Sequence, residues 1–245
     1  MKIRQIAMTS DNFYLLTALP SLGRLGDQPP IDLPQLLAHV ADSATPAALA
    51  EAIFLSDDLL QRDAVAAGEL TEPTPTVLTV EQLRDEAPLP ACLIVADSAA
   101  PPRRVACDAV WEAYYRHVAD VASRCGCRLL AQWVGCEVAM RNALARARAQ
   151  ALGLDGEDYV VADDLADDDA DLTSIVNEWS TARTPLAGLR VLDDARWRWL
   201  DENDRWFTFA DDELAAYAIR IMLLSRWYRL TETDDADAPA PAASQ

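Results

Sequence analysis

Residues 104–153, RVACDAVWEAYYRHVADVASRCGCRLLAQWVGCEVAMRNALARARAQALG, decide the fold class of this chain. Val105, Val110, Tyr114, Val118, Val121 and Cys125 recur at helical spacing and give a helix one apolar face. Leu129, Trp133, Cys136, Met140, Leu144 and Ala147 form a second stripe at intervals of three and four. Arg128, Arg141, Arg146 and Arg148 lie mostly off that stripe. Gly126, between the stripes, permits a turn or a kink. The segment predicts two long antiparallel helices, with a single kinked helix as the alternative. Gly153 follows as a C-cap.

Towards the N-terminus, residues 11–20 form a short apolar segment stopped by Pro20, and a Gly/Pro-rich turn follows. Asp32 is a helix cap, with Pro34 tolerated in the first turn, and Leu33, Leu36, Leu37 and Val40 carry the pattern. A second helix starts near Thr45-Pro46, with Leu49, Ile53, Leu59 and Leu60 as its apolar face. Residues 71–78 read as a loop or linker and 79–87 as a short helix. The apolar run 91–96 fits either a strand or a buried helical turn.

Towards the C-terminus, residues 155–171 hold nine Asp or Glu and no Lys or Arg, which predicts an exposed loop. Helices follow at about 172–182, 189–203 and 210–230, the last two amphipathic. Leu214, Tyr217, Ile221, Leu224 and Tyr228 keep a heptad-like register. From Glu232 the chain is an acidic Ala/Pro-rich tail that cannot bury apolar surface. The fold class is therefore mainly α, an antiparallel helical bundle with a disordered tail over 232–245. The expected organisation is one domain over 1–231, divisible at the loops 71–78 and 155–171.

Composition narrows function. The net charge of -19 repels phosphate backbones and anionic lipid, which argues against nucleic acid and suits a basic protein surface. Of 21 basic residues only Lys2 is a lysine, and the histidines are His39 and His117 alone. No GxxxxGK, HExxH or GxSxG occurs, so no catalytic or cofactor motif is assigned. No run of 18 apolar residues and no secretory leader is read, and five cysteines without framework spacing fit a reduced cytoplasmic protein. Cys125, Cys127, Cys136 and His117 are the one cluster of metal-ligand types. Cys125 and Cys127 would point apart on a continuous helix, and Cys136 sits on an apolar stripe, so no metal is assigned.

Glu137, Arg141, Asn142 and Arg146 stand out on the second stripe's helix. Glu137–Arg141 and Asn142–Arg146 are spaced for i,i+4 pairing. They read either as surface ion pairs or as a buried polar network fixing helix–helix register, since Asn needs a reason to sit mid-helix. Trp197, Trp199, Trp206 and Trp227 cluster near the C-terminus, as core residues or as interface anchors.

Three blocks carry a family resemblance. The first is Phe13 to Pro20 with Pro29-Pro30. The second is Trp133 to Glu137, then Arg141 to Leu144 and Arg146 to Arg148, ending at Gly153. The third is Arg196 to Glu202, Phe207 to Phe209 and Leu214 to Tyr217, continuing to Arg226-Trp227. Together they resemble the DUF2764 family, found with V/A-type ATPase genes. The middle block also resembles the Glu-to-Asn helix motif of the C/d subunit, the socket on the membrane rotor ring that receives the central axle. The resemblance implies helical bundles and a non-catalytic coupling subunit whose partners are the axle and rotor-ring subunits. It places the chain in the cytoplasm, peripheral to the inner membrane, with Glu137, Asn142 and Arg146 carrying the motif. The chain is shorter than such subunits and shows no threefold repeat. A free-standing adaptor or assembly factor is the second reading, and an enzyme working with carboxylates alone is the third.

Overall fold

Gly126 resolves the central segment. Its φ of 68° is left-handed, a conformation disfavoured for a residue with a Cβ, so the helix ends there. In the computed structural model, which describes residues 10–94, 103–205 and 207–236, α5 (Ala106–Cys125) stops at Gly126. Helix α6 (Arg128–Leu152) begins two residues later and packs back along α5, making an antiparallel pair rather than one kinked rod. Gly153, with φ 69°, closes α6.

The remaining helices are α1 (Ser10–Thr17), α2 (Leu33–Val40), α3 (Ala44–Ala66), α4 (Val80–Leu83), α7 (Thr173–Ser180), α8 (Pro185–Asn203) and α9 (Asp211–Ala236). No strand occurs among the described residues. Residues 91–93 of the ambiguous apolar run form a 3₁₀ turn, and residues 95 and 96 lie outside the described residues. Asp32 does cap α2, through a reciprocal capping box with Gln35. On α3, Leu49, Ile53 and Leu59 are buried, whereas Leu60 is exposed.

Helix α9 corrects the expectation of an amphipathic C-terminal helix. Every residue from Leu214 to Ser225 except Tyr217 is buried. A helix apolar nearly all round belongs inside, not on a surface. It packs against α2, α3, α6 and α8, and Ala215, Ala216 and Ala218 let those neighbours approach closely. The helix also extends to Ala236, so residues 232–236, expected in the tail, are helical. Residues 237–245 lie outside the described residues.

One core runs from Leu15 on α1 to Trp227 on α9, with a small satellite of Met140, Leu192 and Ala195 beneath α7. Neither loop divides it. Residues 71–78, expected as a linker, are fastened to α3 by Asp58. The fully buried Asp58 carboxylate accepts the N–H groups of Thr76 (2.8 Å), Val77 (2.7 Å) and Leu78 (2.7 Å). Burial pushes its pKa up, and those three donors pull against the rise. Gln61 exchanges two hydrogen bonds with the backbone of Thr74, and its neighbour Asp57 forks onto Arg229 of α9 at 2.7 Å.

The acidic segment is likewise held rather than free. It makes 3₁₀ turns at Gly156–Tyr159 and Asp163–Leu165 and buries Val161 and Ala162. It crosses α6 at Gly135, whose carbonyl accepts Asp167 N–H at 3.1 Å. A Cβ there would stand 3.3 Å from the Leu165 carbonyl oxygen, so the crossing uses the missing side chain.

Candidate functional site

The motif residues of α6 lie on three sides of the helix, and each reaches a different element. Glu137 does not pair with Arg141. Its two oxygens accept a fork from Arg196 of α8, at 2.7 and 2.9 Å. Arg141 bonds instead to the buried Asp108 of α5 at 2.6 Å and lies over the Trp111 ring, 5.2 Å from its centroid. The expected i,i+4 pair is thus replaced by two bridges between helices. These partly buried, hydrogen-bonded bridges fix geometry in a way that an exposed pair cannot.

Asn142 has no exposed surface. Its side-chain amide donates to the Val161 carbonyl at 3.0 Å and accepts the Val161 N–H at 3.0 Å, copying the pairing of a β-ladder. It also donates to Asp163 at 2.9 Å. Arg146 does not bond Asn142. It meets the same Asp163 and forks onto Glu157 at 2.8 and 3.2 Å. Asn142 is buried, whereas Arg146 and its partners Glu157 and Asp163 lie at the surface, so each of the two sequence readings describes part of the network. Asn142 and Arg146 clamp the acidic segment to α6, while Glu137 and Arg141 make the bridges between helices.

Asn142→Leu is expected to strand the buried Val161 N–H and C=O and to lower stability by about 2–4 kcal/mol. Chemical denaturation measures it, with loss of protease resistance confined to residues 155–171 at sub-denaturing conditions. An unchanged midpoint would remove the clamp from the account.

The Arg196 guanidinium joins three helices. Besides Glu137 it donates to Asp193 on its own helix at 3.0 Å, and Arg226 of α9 donates to the same Asp193 oxygen. Asp193 is fully buried, and its other oxygen has no hydrogen-bond partner among the described residues. Burial works to lower the Arg196 pKa, but the charges and hydrogen bonds of Glu137 and Asp193 outweigh it, so the guanidinium is held firmly charged.

The tryptophans pack inward. Trp199 meets Trp133 edge-on at 5.4 Å, Arg220 lies over Trp197 at 5.9 Å, and Arg190 lies over the buried Trp227 at 4.9 Å. Trp206 is outside the described residues. These contacts give the rings a place in the core, where their area and their cation partners both stabilise packing.

Residues unremarked in the sequence, Asp57, Asp58, Asp108, Asp193, Asp204 and Arg220, complete the bracing with Arg226 of the third block. Arg220 donates to Asp204 at 2.5 Å and to Asp201 at 3.2 Å. A usable signal existed. Arg220 and Arg226 interrupt the apolar run of α9, and Asp57-Asp58 interrupts that of α3, and a charge inside such a run demands a partner.

The three sequence blocks meet in space. Phe13 of the first touches Phe209 of the third, ring centroids 4.8 Å apart, and the Tyr217 hydroxyl donates to the Pro20 carbonyl at 2.9 Å. The second and third meet through Glu137–Arg196 and Trp133–Trp199. Beside Phe13 the backbone of Phe207 (φ 63°) and Phe209 (φ 52°) is left-handed, held by the Glu213 carboxylate, which accepts both N–H groups. The Phe207 ring is 80% exposed.

Among the described residues no group of three or more His, Cys, Asp or Glu side chains is arranged to hold a metal ion, and no helix is long and apolar enough to cross a membrane. Burial pushes the Cys136 thiol up to about 12 and raises the Cys127 thiol well above its ordinary range. Iodoacetamide at neutral pH is expected to leave both unmodified until denaturant is added, and peptide mass mapping reads this directly. Native labelling of either would contradict the burial. Comparison of the chain with protein-family models, with curated proteins and with solved structures yields no match, so the chain's own geometry and motifs carry the functional reading.

Proposed function

We propose that this chain is a non-catalytic structural subunit of a bacterial V/A-type rotary ATPase. In this reading it couples the central axle to the membrane rotor ring from the cytoplasmic side. The observation that carries it is the cross-bracing centred on α6. The motif residues Glu137 and Asn142, with Arg196 from the third block, tie α6 to α8, to the acidic segment and, through Asp193, to α9. A torque-transmitting part must resist bending, and close-packed helices joined by charged forks do so. The role asks for no reacting group, and the acidic surface suits basic patches on an axle or on ring loops.

Phe13, Tyr14 and Phe207 form the surface assigned to partner contact. All three are exposed, and large exposed aromatic side chains mark a contact surface.

The test is tagged purification from native membranes solubilised in mild detergent. Stoichiometric recovery of the catalytic, axle and ring subunits is expected. Phe207→Asp should lose them while leaving the melting transition of the isolated chain in place. Recovery of the tagged chain alone, with the ATPase intact in the same extract, removes the structural-subunit reading and leaves the adaptor.

A further inference from the structure

A cavity of about 470 Å³ opens between α3, α5, α6, α8 and α9. Its lining is mainly apolar and aromatic, with a few charged groups. The rim is apolar and wet: Leu60, Val105, Leu152 and Leu154 line it and are all exposed. The walls are aromatic, with Trp111, Tyr114, Tyr115 and Trp133. The inner lining carries the guanidinium groups of Arg141, Arg196 and Arg226.

Formal charge does not choose a ligand, because Asp63, Asp108, Glu137 and the adjoining Asp193 balance Arg141, Arg148, Arg196 and Arg226. Hydrogen-bonding capacity does. Both Glu137 oxygens are taken by Arg196, Asp108 accepts from Arg141, and Asp63 accepts the Trp111 indole N–H at 2.8 Å. Each guanidinium offers five N–H donors, and Arg141 and Arg226 are each left with a buried Nε that has no partner. Against these two donors stands, among the described residues beside the cavity, one buried acceptor without a partner, the second oxygen of Asp193, so donors exceed acceptors. An anionic head adds acceptors, whereas a cationic one would have to separate Arg196 from Glu137.

The volume lies within the ~300–1,000 Å³ range of small-molecule sites, and a partner helix about 10 Å across is too wide to enter. We propose that this cavity binds a single-chain anionic amphiphile, its head at the arginines and its chain along the aromatic wall towards Leu152 and Leu154.

Isothermal titration of the full chain compares four ten-carbon probes below their micelle concentrations: decanoate, decyl sulfate, decanol and decyltrimethylammonium. Saturable one-to-one binding of the two anions is expected. Decanol should bind about tenfold more weakly or worse, the equivalent of one charge-assisted hydrogen bond, and the cation not at all. Leu154→Glu, at an exposed rim position that does not endanger folding, should weaken decanoate by about tenfold or more. Ala145→Trp, which fills the cavity from α6, should abolish binding in protein that still melts cooperatively. Equal affinity for decanol, unchanged decanoate affinity in Leu154→Glu, or no saturable heat with either anion would each overturn the proposal. Loss of binding in Phe207→Asp would overturn it as well, by moving the site to the exposed aromatic surface.

Discussion

Asp193→Ala is expected to lower the unfolding free energy by about 3–5 kcal/mol, the cost of removing one partner from a buried ion network. Arg196 and Arg226 both donate to the same oxygen of Asp193, a residue with no exposed surface. Without it, Arg196 keeps Glu137, Arg226 loses its Asp193 partner, and the two guanidinium groups repel each other across the α8–α9 contact. Asp193→Asn separates charge from hydrogen bonding. The amide oxygen can still accept from both arginines, while its NH₂ takes the place of the carboxylate oxygen that has no partner. A smaller loss, about 1.5–3 kcal/mol, is therefore expected from Asn. Replacing Glu137, Asp193, Arg196 and Arg226 together by Leu or Met should recover most of the stability, because no charge is then left alone. Urea denaturation of the three variants checks the order. Equal losses for Ala and Asn would show that hydrogen-bond count matters little there, and a loss under 1 kcal/mol for Ala would deny the network any structural weight.

Asp58 makes the second large prediction, and here Asn offers no relief. Both Asp58 oxygens are engaged by backbone donors, one by Thr76 and the other by Val77 and Leu78. An Asn amide must turn its NH₂ towards at least one of those N–H groups. Asp58→Asn is expected to cost about 2–4 kcal/mol, and Asp58→Ala, which strands three donors, about 4 kcal/mol or more. Amide exchange tells the two mechanisms apart. The N–H groups of Thr76, Val77 and Leu78 should lose protection well before global unfolding in either variant. If their protection survived, some other group would be holding the loop.

The helical plan was readable because its signals are local. The cap at Asp32 needs only Gln35 three residues on, and the break at Gly126 needs only a missing Cβ. Periodicity gave the α5–α6 pair for the same reason. What escaped is non-local. Glu137 and Arg141 are spaced to pair with each other, and the sequence holds no sign that Arg196 and Asp108 compete for them and win. The segment 71–78 reads as a linker because Pro and Thr carry no periodicity, and the residue that pins it lies some 18 positions upstream on another element. The amphipathic reading of α9 fails because the heptad-like register from Leu214 to Tyr228 covers one face, while the opposite face is buried as well. Arg220 sits instead in the interior, with Asp201 and Asp204 as its neutralising partners.

The central position of α9 has a consequence for the order of events in synthesis. Helices α2, α3, α6 and α8 leave the ribosome before it and meet around it. Until residues 214–229 emerge, the faces that will enclose the helix stand open to solvent, Asp57 and Asp204 lack Arg229 and Arg220, and Asp193 has Arg196 alone. Contacts between ends so far apart in sequence form late and slow folding. Consolidation of the core is therefore expected only once α9 packs against these helices. Chaperone dependence should follow the arrival of that helix rather than the length of the chain.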